Sequence, residues 1–474
     1  MRTSVTTIAF RHAACAVLLL PCIVLHAADA PQPADKPNFI FIVADDMGYA
    51  DCGVQGCKDV PTPNLDALAA SGIRFTNGYV TGTVCSPTRA GLMTGRYHYR
   101  DGVSDWIPPG KPGLNPKVPT IASYLKTAGY HTAVVGKWHL GEDEACRPRN
   151  RGFDDFFGFL GGGRSYFPDK PKPAGAPTNH YTQIVRGADP VEENEYTTHA
   201  FGREAAEFLA RQKGKGDPFF LYLAFNAVHT PMEAPDEYLA KFPNIQDQRR
   251  RTYAGMLSAM DDNLGRVMQA VRDTGIEERT LVTFISDNGG PITRNAPNAS
   301  QNTPLRGGKG ETWEGGIRVP FFMKWTGHLP AGNTFAEPVI QMDLTATAIA
   351  LAGVTPDPNW PMDGVNLMPF LQGGPGTPHP MLCWSYENQW AIRQGPWKVT
   401  CAIPEKTAKT PVLGLYDLNR DIGERQDLAS AHPERVRQMQ ENWQRWRQET
   451  IGNQSAGRNG AWHVFAGELR GMGK

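Results

Sequence analysis

Asn38-Phe39-Ile40-Phe41-Ile42-Val43-Ala44-Asp45-Asp46 is an unbroken apolar run that stops at two adjacent carboxylates. A run this short, rich in aromatic and β-branched residues, reads as a strand buried on both faces, the kind found in parallel sheets. Three more runs share the pattern. His131-Thr132-Ala133-Val134-Val135 ends in Gly136-Lys137-Trp138-His139, Phe219-Phe220-Leu221-Tyr222-Leu223-Ala224-Phe225 runs towards His229, and Leu281-Val282-Thr283-Phe284-Ile285-Ser286 ends in Asp287-Asn288. In open α/β sheets ligands bind beyond the carboxyl ends of the strands, so these four ends are expected to converge on one site. Any single pair, such as Asp45-Asp46, also reads as a turn or helix cap. Together they have the composition of a metal and oxyanion site.

Between the strands, Asn64 to Ala70 closing at Gly72 and Thr120 to Lys126 closing at Gly129 read as helices with glycine stops. This alternation predicts an α/β fold with a mostly parallel central sheet flanked by helices. The texture changes at Gly373-Gly374-Pro375-Gly376. Short strands follow at Gln389–Arg393, Trp397–Thr400 and Leu415–Asp417, then a helix from about Pro433 with Val436, Met439, Trp443 and Trp446 on one packing face. The expected organisation is a segment 1–30 removed on export, a catalytic unit 31–375, and a C-terminal antiparallel sheet with a helix, 376–474. A chain of 474 residues with 40% hydrophobic content exceeds the usual single-domain size.

The 48 basic and 48 acidic residues cancel, which argues against nucleic acid or a polybasic membrane contact. An anionic ligand must then be held by a local pocket. At the N-terminus, Arg2 and Arg11 precede Ala13-Ala14-Cys15-Ala16-Val17-Leu18-Leu19-Leu20, and Ala28-Asp29-Ala30 offers a small-x-small cleavage site. The run is short and broken by Pro21, so it reads as a secretion signal and not a membrane span. A periplasmic or extracellular location is expected. Beyond that segment and Cys85 the cysteines are Cys52, Cys57, Cys146, Cys383 and Cys401, an odd number. Cys383 with Cys401 across a hairpin, and Cys52 with Cys57 across a short loop, are candidate pairs.

Cys85-Ser86-Pro87-Thr88-Arg89-Ala90-Gly91-Leu92-Met93-Thr94-Gly95 could be a buried cysteine ahead of a proline that opens a helix. The run also resembles the signature of the formylglycine-dependent (type I) sulfatases of the alkaline phosphatase superfamily, of the arylsulfatase and N-acetylgalactosamine-sulfatase type. Gly129 to His139 resembles the second signature of that family. Leu305-Arg306-Gly307-Gly308-Lys309-Gly310, followed by Glu314-Gly315-Gly316-Ile317-Arg318-Val319-Pro320, resembles its late lysine block, so the likeness spans Asn38 to about Asp417.

The resemblance implies an alkaline-phosphatase-like fold and a sulfuric ester hydrolase. It implies that a formylglycine-generating maturase oxidises Cys85 to 3-oxoalanine, whose hydrate attacks sulfur and forms a covalent sulfate intermediate. Ligation of Ca²⁺, with Mg²⁺ as the alternative, falls on Asp45, Asp46, Asp287, Asn288 and modified Cys85. Hard oxygen donors suit either ion. Arg89, Lys137, His139, His229 and Lys309 fall on the remaining active-site positions: Arg89 to hold residue 85, Lys137 and Lys309 to contact sulfate, Lys309 and His229 to protonate the leaving alcohol, and His139 to act as the base that expels sulfate. The implied substrate is a sulfated saccharide carrying a galactose or N-acetylgalactosamine sulfate. Gly161-Gly162-Gly163-Arg164-Ser165-Tyr166 and Glu387-Asn388-Gln389-Trp390 offer residue types that sugar pockets use, and read equally as a loop and a strand edge. Two rivals remain: a phosphoester or phosphonate hydrolase with the same maturation motif, and a non-catalytic binder of sulfated glycans whose Cys85 is never modified.

Overall fold

The computed structural model describes residues 1, 36–168, 181–292, 297–404, 408 and 410–452, so the expected export signal lies outside the described residues. The strands are β1 (Asn38–Ala44), β2 (Ile73–Phe75), β3 (Gly78–Tyr79), β4 (His131–Lys137), β5 (Asp155–Phe159), β6 (Val185–Arg186), β7 (Asp189–Pro190), β8 (Phe219–Ala224), β9 (Thr280–Ser286), β10 (Phe321–Lys324), β11 (Asn333–Phe335), β12 (Val339–Ile340), β13 (Leu382–Tyr386), β14 (Gln389–Gln394), β15 (Trp397–Ala402) and β16 (Val412–Asp417). The large sheet runs β11-β2-β10-β9-β1-β8-β4-β5-β6-β7, and β3 pairs with β12 beside it. Its centre, β9-β1-β8-β4-β5, is wholly parallel. Antiparallel strands close it on both sides, β10 against β9 and β6 against β5.

The apolar run of β1 is continuous because both faces of the strand are covered. Ile40, Ile42 and Ala44 point into one core layer with Tyr253, Phe201 and Leu65 from the helices Gln248–Asp273, Thr197–Ala210 and Pro63–Ala70. Phe39, Phe41 and Val43 point into the opposite layer with Leu92, Leu125 and Leu344 from the helices Cys85–Thr94, Ile121–Thr127 and Met342–Leu351. This is the two-residue alternation of a central strand. The two expected helices form where the sequence placed them. Pro63 opens the first at a position that needs no amide hydrogen, and Thr120 caps the second in a capping box with Ser123.

The C-terminal sheet is an antiparallel meander, β13-β14-β15-β16. The helix Pro433–Thr450 packs Val436, Met439, Trp443 and Trp446 into its core, and the Trp443 ring stacks on Trp390 at 4.6 Å. β13 is the strand the sequence did not announce, and it overturns one expected disulfide. Cys383 lies opposite Ile392 on β14, while Cys401 lies opposite Trp390 from the other side. With β14 between them, and their partners on it two residues apart, the two cysteines are more than two strand spacings, over roughly 10 Å, apart, beyond disulfide reach. Cys52 and Cys57 are thiols, the first donating to Gln55 and the second to Asp59. Among the described residues, no helix is long and apolar enough to cross a membrane.

Candidate active site

Register brings the strand ends level. Ala44 pairs with Ser286 and Val43 with Ala224, while Gly136 pairs with Ala224 from the far side of β8. The residues that follow, Asp287, Asp45 and Lys137, therefore stand in one row along the carboxyl edge. The row is stitched by backbone bonds from Asp287 N–H to Ala44 and from Asp45 N–H to Ala227. Asp46 and His139 lie just past their strands with φ of 63° and 57°. Left-handed conformations at non-glycine residues are uncommon and gather at functional sites.

Cys85 opens the helix Cys85–Thr94, which is buried along its whole length. Its Sγ lies 3.5 Å from Asp45 Oδ1 and 3.5 Å from Lys309 Nζ. Arg89, one helical turn on, returns to the same face. It donates from Nε to Asp287 (3.0 Å) and from Nη1 to the Lys137 carbonyl (3.1 Å), and its Nη2 lies 2.8 Å from Asp287. Lys137 Nζ reaches Asp45 at 2.6 Å, and Lys309 Nζ lies 2.7 and 2.9 Å from the two oxygens of Asp46. His229 Nε2 stands 3.6 Å from Asp46, with its Nδ1 on the Thr230 carbonyl at 2.6 Å. All ten residues singled out in the sequence meet here.

The charges set distinct protonation states. Burial would raise the Asp46 carboxyl, but Lys309 and His229 outweigh it and hold it at about 2. Burial and the neighbouring Asp45 push Asp287 up to about 6. Cys85 falls to about 7 because Lys137 and Lys309 outweigh its burial. Burial, then Lys137 and Arg89, press His139 well below its ordinary value. Its Nε2 faces the Ile107 carbonyl at 3.2 Å and must donate there, so Nδ1 carries the lone pair, and it has no partner among the described residues. His229 moves the other way: the carboxylates of Asp45 and Asp46 outweigh burial and raise it.

The donor set fits a divalent cation. Ligand atoms of Asp45, Asp46, Cys85 and His229 lie within 4.8 Å of one another. Asn288 Oδ1 is buried without a hydrogen-bond partner among the described residues, while its Nδ2 donates to Asp46 at 2.7 Å. Three carboxylates face the cations of Lys137, Lys309 and Arg89, and an added cation would strengthen the pull of the pocket on an anion.

Several supporting residues were not legible in the sequence. The Tyr222 hydroxyl accepts from Arg89 (3.3 Å), the Ser286 hydroxyl accepts the Met47 N–H, and the Ser86 hydroxyl accepts the Ile107 N–H. Only Tyr222 had a signal, a lone hydroxyl within an apolar strand. Of the two loops marked for sugar, the first borders the site. A side chain on Gly162 would collide with the His139 ring, and the Tyr166 hydroxyl donates to the His229 carbonyl. Gln389 of the second is buried and donates to the Gly310 carbonyl, beside Lys309.

The mostly parallel sheet flanked by helices, with a charged pocket at its carboxyl edge, is an alkaline-phosphatase-like α/β fold. Residues 37–354 match the Sulfatase family model, and the chain belongs to the sulfatase family and is a sulfuric ester hydrolase. It is similar to N-acetylgalactosamine-6-sulfatase of Canis lupus familiaris, 32% identical across 88% of this chain and 86% of that protein. It is also similar to arylsulfatase A of Homo sapiens, 34% identical across 85% and 86%. The crystal structure of Ps i-CgsB in complex with k-i-k-neocarrahexaose superposes with a TM-score of 0.82 at 37% identity, covering 93% of this chain and 98% of that one.

Proposed function

We infer that the protein removes sulfate from a galactose or N-acetylgalactosamine sulfate within a saccharide, after a maturase has oxidised Cys85 to formylglycine. The observation that carries this reading is the placement of Cys85 among two lysines, two histidines and three carboxylates at the ends of four strands. The relatives named for N-acetylgalactosamine-6-sulfatase and for a bound neocarrahexaose support the sugar class. Asp45, Asp46, Asp287, Asn288 and residue 85 would hold Ca²⁺, or Mg²⁺ in its place, which would neutralise developing charge on the sulfate oxygens. The oxidised Cys85 would supply the attacking hydroxyl. Export, and the division into units 31–375 and 376–474, belong to the same proposal.

The side chains divide the remaining work. Lys137 and Lys309 aim two ammonium groups at the sulfate oxygens, and cations fixed in place before the reaction stabilise its developing charge more than any other single effect. Arg89, clamped by Asp287 and Tyr222, holds residue 85 on its helix. His229, charged by its carboxylate neighbours, donates a proton to the departing alcohol. His139 stays neutral, so Nδ1 can take the proton of a hydroxyl on residue 85.

Cys85→Ala should cut sulfatase turnover by more than about a thousandfold while the protein still folds, since residue 85 contributes one of several ligands. A variant that keeps most of the wild-type rate would defeat the mechanism. Matched sulfate and phosphate esters should show a preference for sulfate; the reverse preference would favour a phosphoester hydrolase.

A further inference from the structure

Three loops of the site meet on one side chain, Asn302, which is buried in the stretch between the Asp287-Asn288 turn and Lys309. Its Oδ1 accepts from the Tyr49 N–H at 3.2 Å and from the Gly290 N–H at 3.1 Å. Its Nδ2 donates to the carbonyls of Gly290 at 2.9 Å and Gly307 at 3.0 Å. A primary amide has two acceptor sites and two donor hydrogens, so all four are used. The partners also fix which way the amide faces, since the N–H groups stand at one end and the carbonyls at the other.

Each partner is close in sequence to a residue of the site. Tyr49 follows Asp46 by three positions, Gly290 follows Asn288 by two, and Gly307 precedes Lys309 by two. The loops approach backbone to backbone where Asn302 crosses them. A Cβ on Gly308 would sit 2.3 Å from the Gly290 carbonyl oxygen, and one on Gly290 would sit 2.0 Å from Ser300 Oγ. A side chain at either position would push the loops apart. The Lys309 N–H adds a bond of 3.3 Å to the same Gly290 carbonyl that Asn302 holds, and the Gly310 N–H reaches the Thr83 carbonyl, just ahead of Cys85, at 2.8 Å. Lys309 is therefore suspended between Asn302 on one side and the segment of residue 85 on the other.

A buried asparagine with all its bonds made is often no more than a loop staple. Here the stapled segments are the ones that bring Asp46, Asn288 and Lys309 together, and Lys309 Nζ and Asn288 Nδ2 both end on Asp46. We propose that Asn302 is the positioning residue that sets Lys309 against the cation-ligating turns, so that ammonium and ion address the same sulfate group. The proposal rests on the cation and Lys309 roles inferred above. The acceptor oxygen of Asn302 joins the two ligand turns, and its donor nitrogen ties the Lys309 block to them. An error of about 1 Å between the two parts would cost about a hundredfold in rate.

The test titrates the full-length protein calorimetrically, first with Ca²⁺ and then, once ion-loaded, with inorganic sulfate, beside turnover of a galactose sulfate by the aldehyde-bearing enzyme. Asn302→Ala should weaken Ca²⁺ binding about tenfold and turnover about a hundredfold. Asn302→Asp keeps the acceptor oxygen and loses both donors. It should bind Ca²⁺ within about threefold of wild type, yet hold inorganic sulfate about tenfold more weakly and turn over as slowly as the alanine variant. A plain staple would lower unfolding stability in both variants and leave Ca²⁺ affinity, sulfate affinity and turnover per folded molecule at wild-type values, and that result overturns the proposal. An aspartate variant that loses ion and sulfate affinity equally overturns it too. Should Asn302→Ala fail to fold, the aspartate variant decides by the same two titrations. Wild-type protein that binds neither Ca²⁺ nor Mg²⁺ defeats the cation reading and this proposal with it. Wild-type protein that binds Ca²⁺ and inorganic sulfate but spares galactose sulfates defeats only the sugar reading, and the titrations still decide Asn302.

Discussion

The molecule buries two clusters of charge, and they do different things. One is the candidate active site at the carboxyl edge of the parallel sheet. The other lies where the C-terminal sheet meets the segment following Lys309: Lys398 of β15 sits 3.0 Å from Glu314 and 2.8 Å from Glu424, and Arg318 and the Tyr79 hydroxyl also reach Glu314. Both clusters mix carboxylates with cations in the interior. In the second, Glu314, Lys398 and Glu424 are wholly buried and answer one another as ion pairs, although Glu314 Oε1, Lys398 Nζ and Glu424 Oε1 make no hydrogen bond of good geometry among the described residues. In the first, His139 Nδ1 and Asn288 Oδ1 lack partners among the described residues, and the His229 side chain is 20% exposed. A closed cluster fastens two sheets together. A cluster that leaves acceptors without even an ion-pair partner beside an opening is built for something that arrives.

The comparison breaks most visibly with the metal. Removing divalent cations with excess chelator should suppress sulfatase activity by at least about a hundredfold, with Ca²⁺ or Mg²⁺ restoring it, whereas Asp287→Ala should not be rescued by either ion. Full activity after dialysis against chelator would show that the open cluster needs no ion.

Lys398→Met probes the closed cluster. Removing one partner leaves Glu314 and Glu424 facing each other in the interior, at a cost of about 3–5 kcal/mol of stability, measured by denaturant unfolding. Burial and the nearby Glu314 already push Glu424 up to about 7 against the pull of Lys398. Protonating it in the variant therefore relieves the repulsion, and the deficit should be smaller at pH 5.5 than at pH 8. A purely catalytic defect with unchanged unfolding would erase the distinction between the clusters.

The smallest effect concerns pH. His229 must be protonated to donate, and without a bound cation its carboxylate neighbours outweigh burial and raise it. Activity should be lost as pH rises through the value at which His229 gives up its proton in the metal-loaded enzyme, giving kcat/KM a basic limb. His229→Gln should lower the plateau and remove the limb, more so for sugar alcohols than for activated phenols. An unchanged limb in the variant would assign it to another group.

Four strands of the parallel core, β1, β4, β8 and β9, were legible because double burial leaves an unbroken apolar run, with the site's residues placed after each run; β5, the fifth parallel strand, was not read. The segments β2, β3 and β10–β12 were not, since two to four residues carry no period of their own. Overlooking β13 had a specific consequence. One hairpin was expected between Cys383 and Cys401 where the chain makes two, and that extra strand separates the thiols. The Glu314–Lys398–Glu424 cluster was equally hidden, because its partners come from distant segments and a glutamate in the late lysine block looks like any other surface charge.

The central claim is that residue 85 acts as an aldehyde, and the mass of the tryptic peptide carrying it tests that most directly. In preparations matured to different extents, specific activity should rise in proportion to the fraction of that peptide bearing formylglycine in place of the thiol, extrapolating to zero when all of it is cysteine. Undiminished sulfatase activity in a preparation whose Cys85 is entirely thiol would contradict the account.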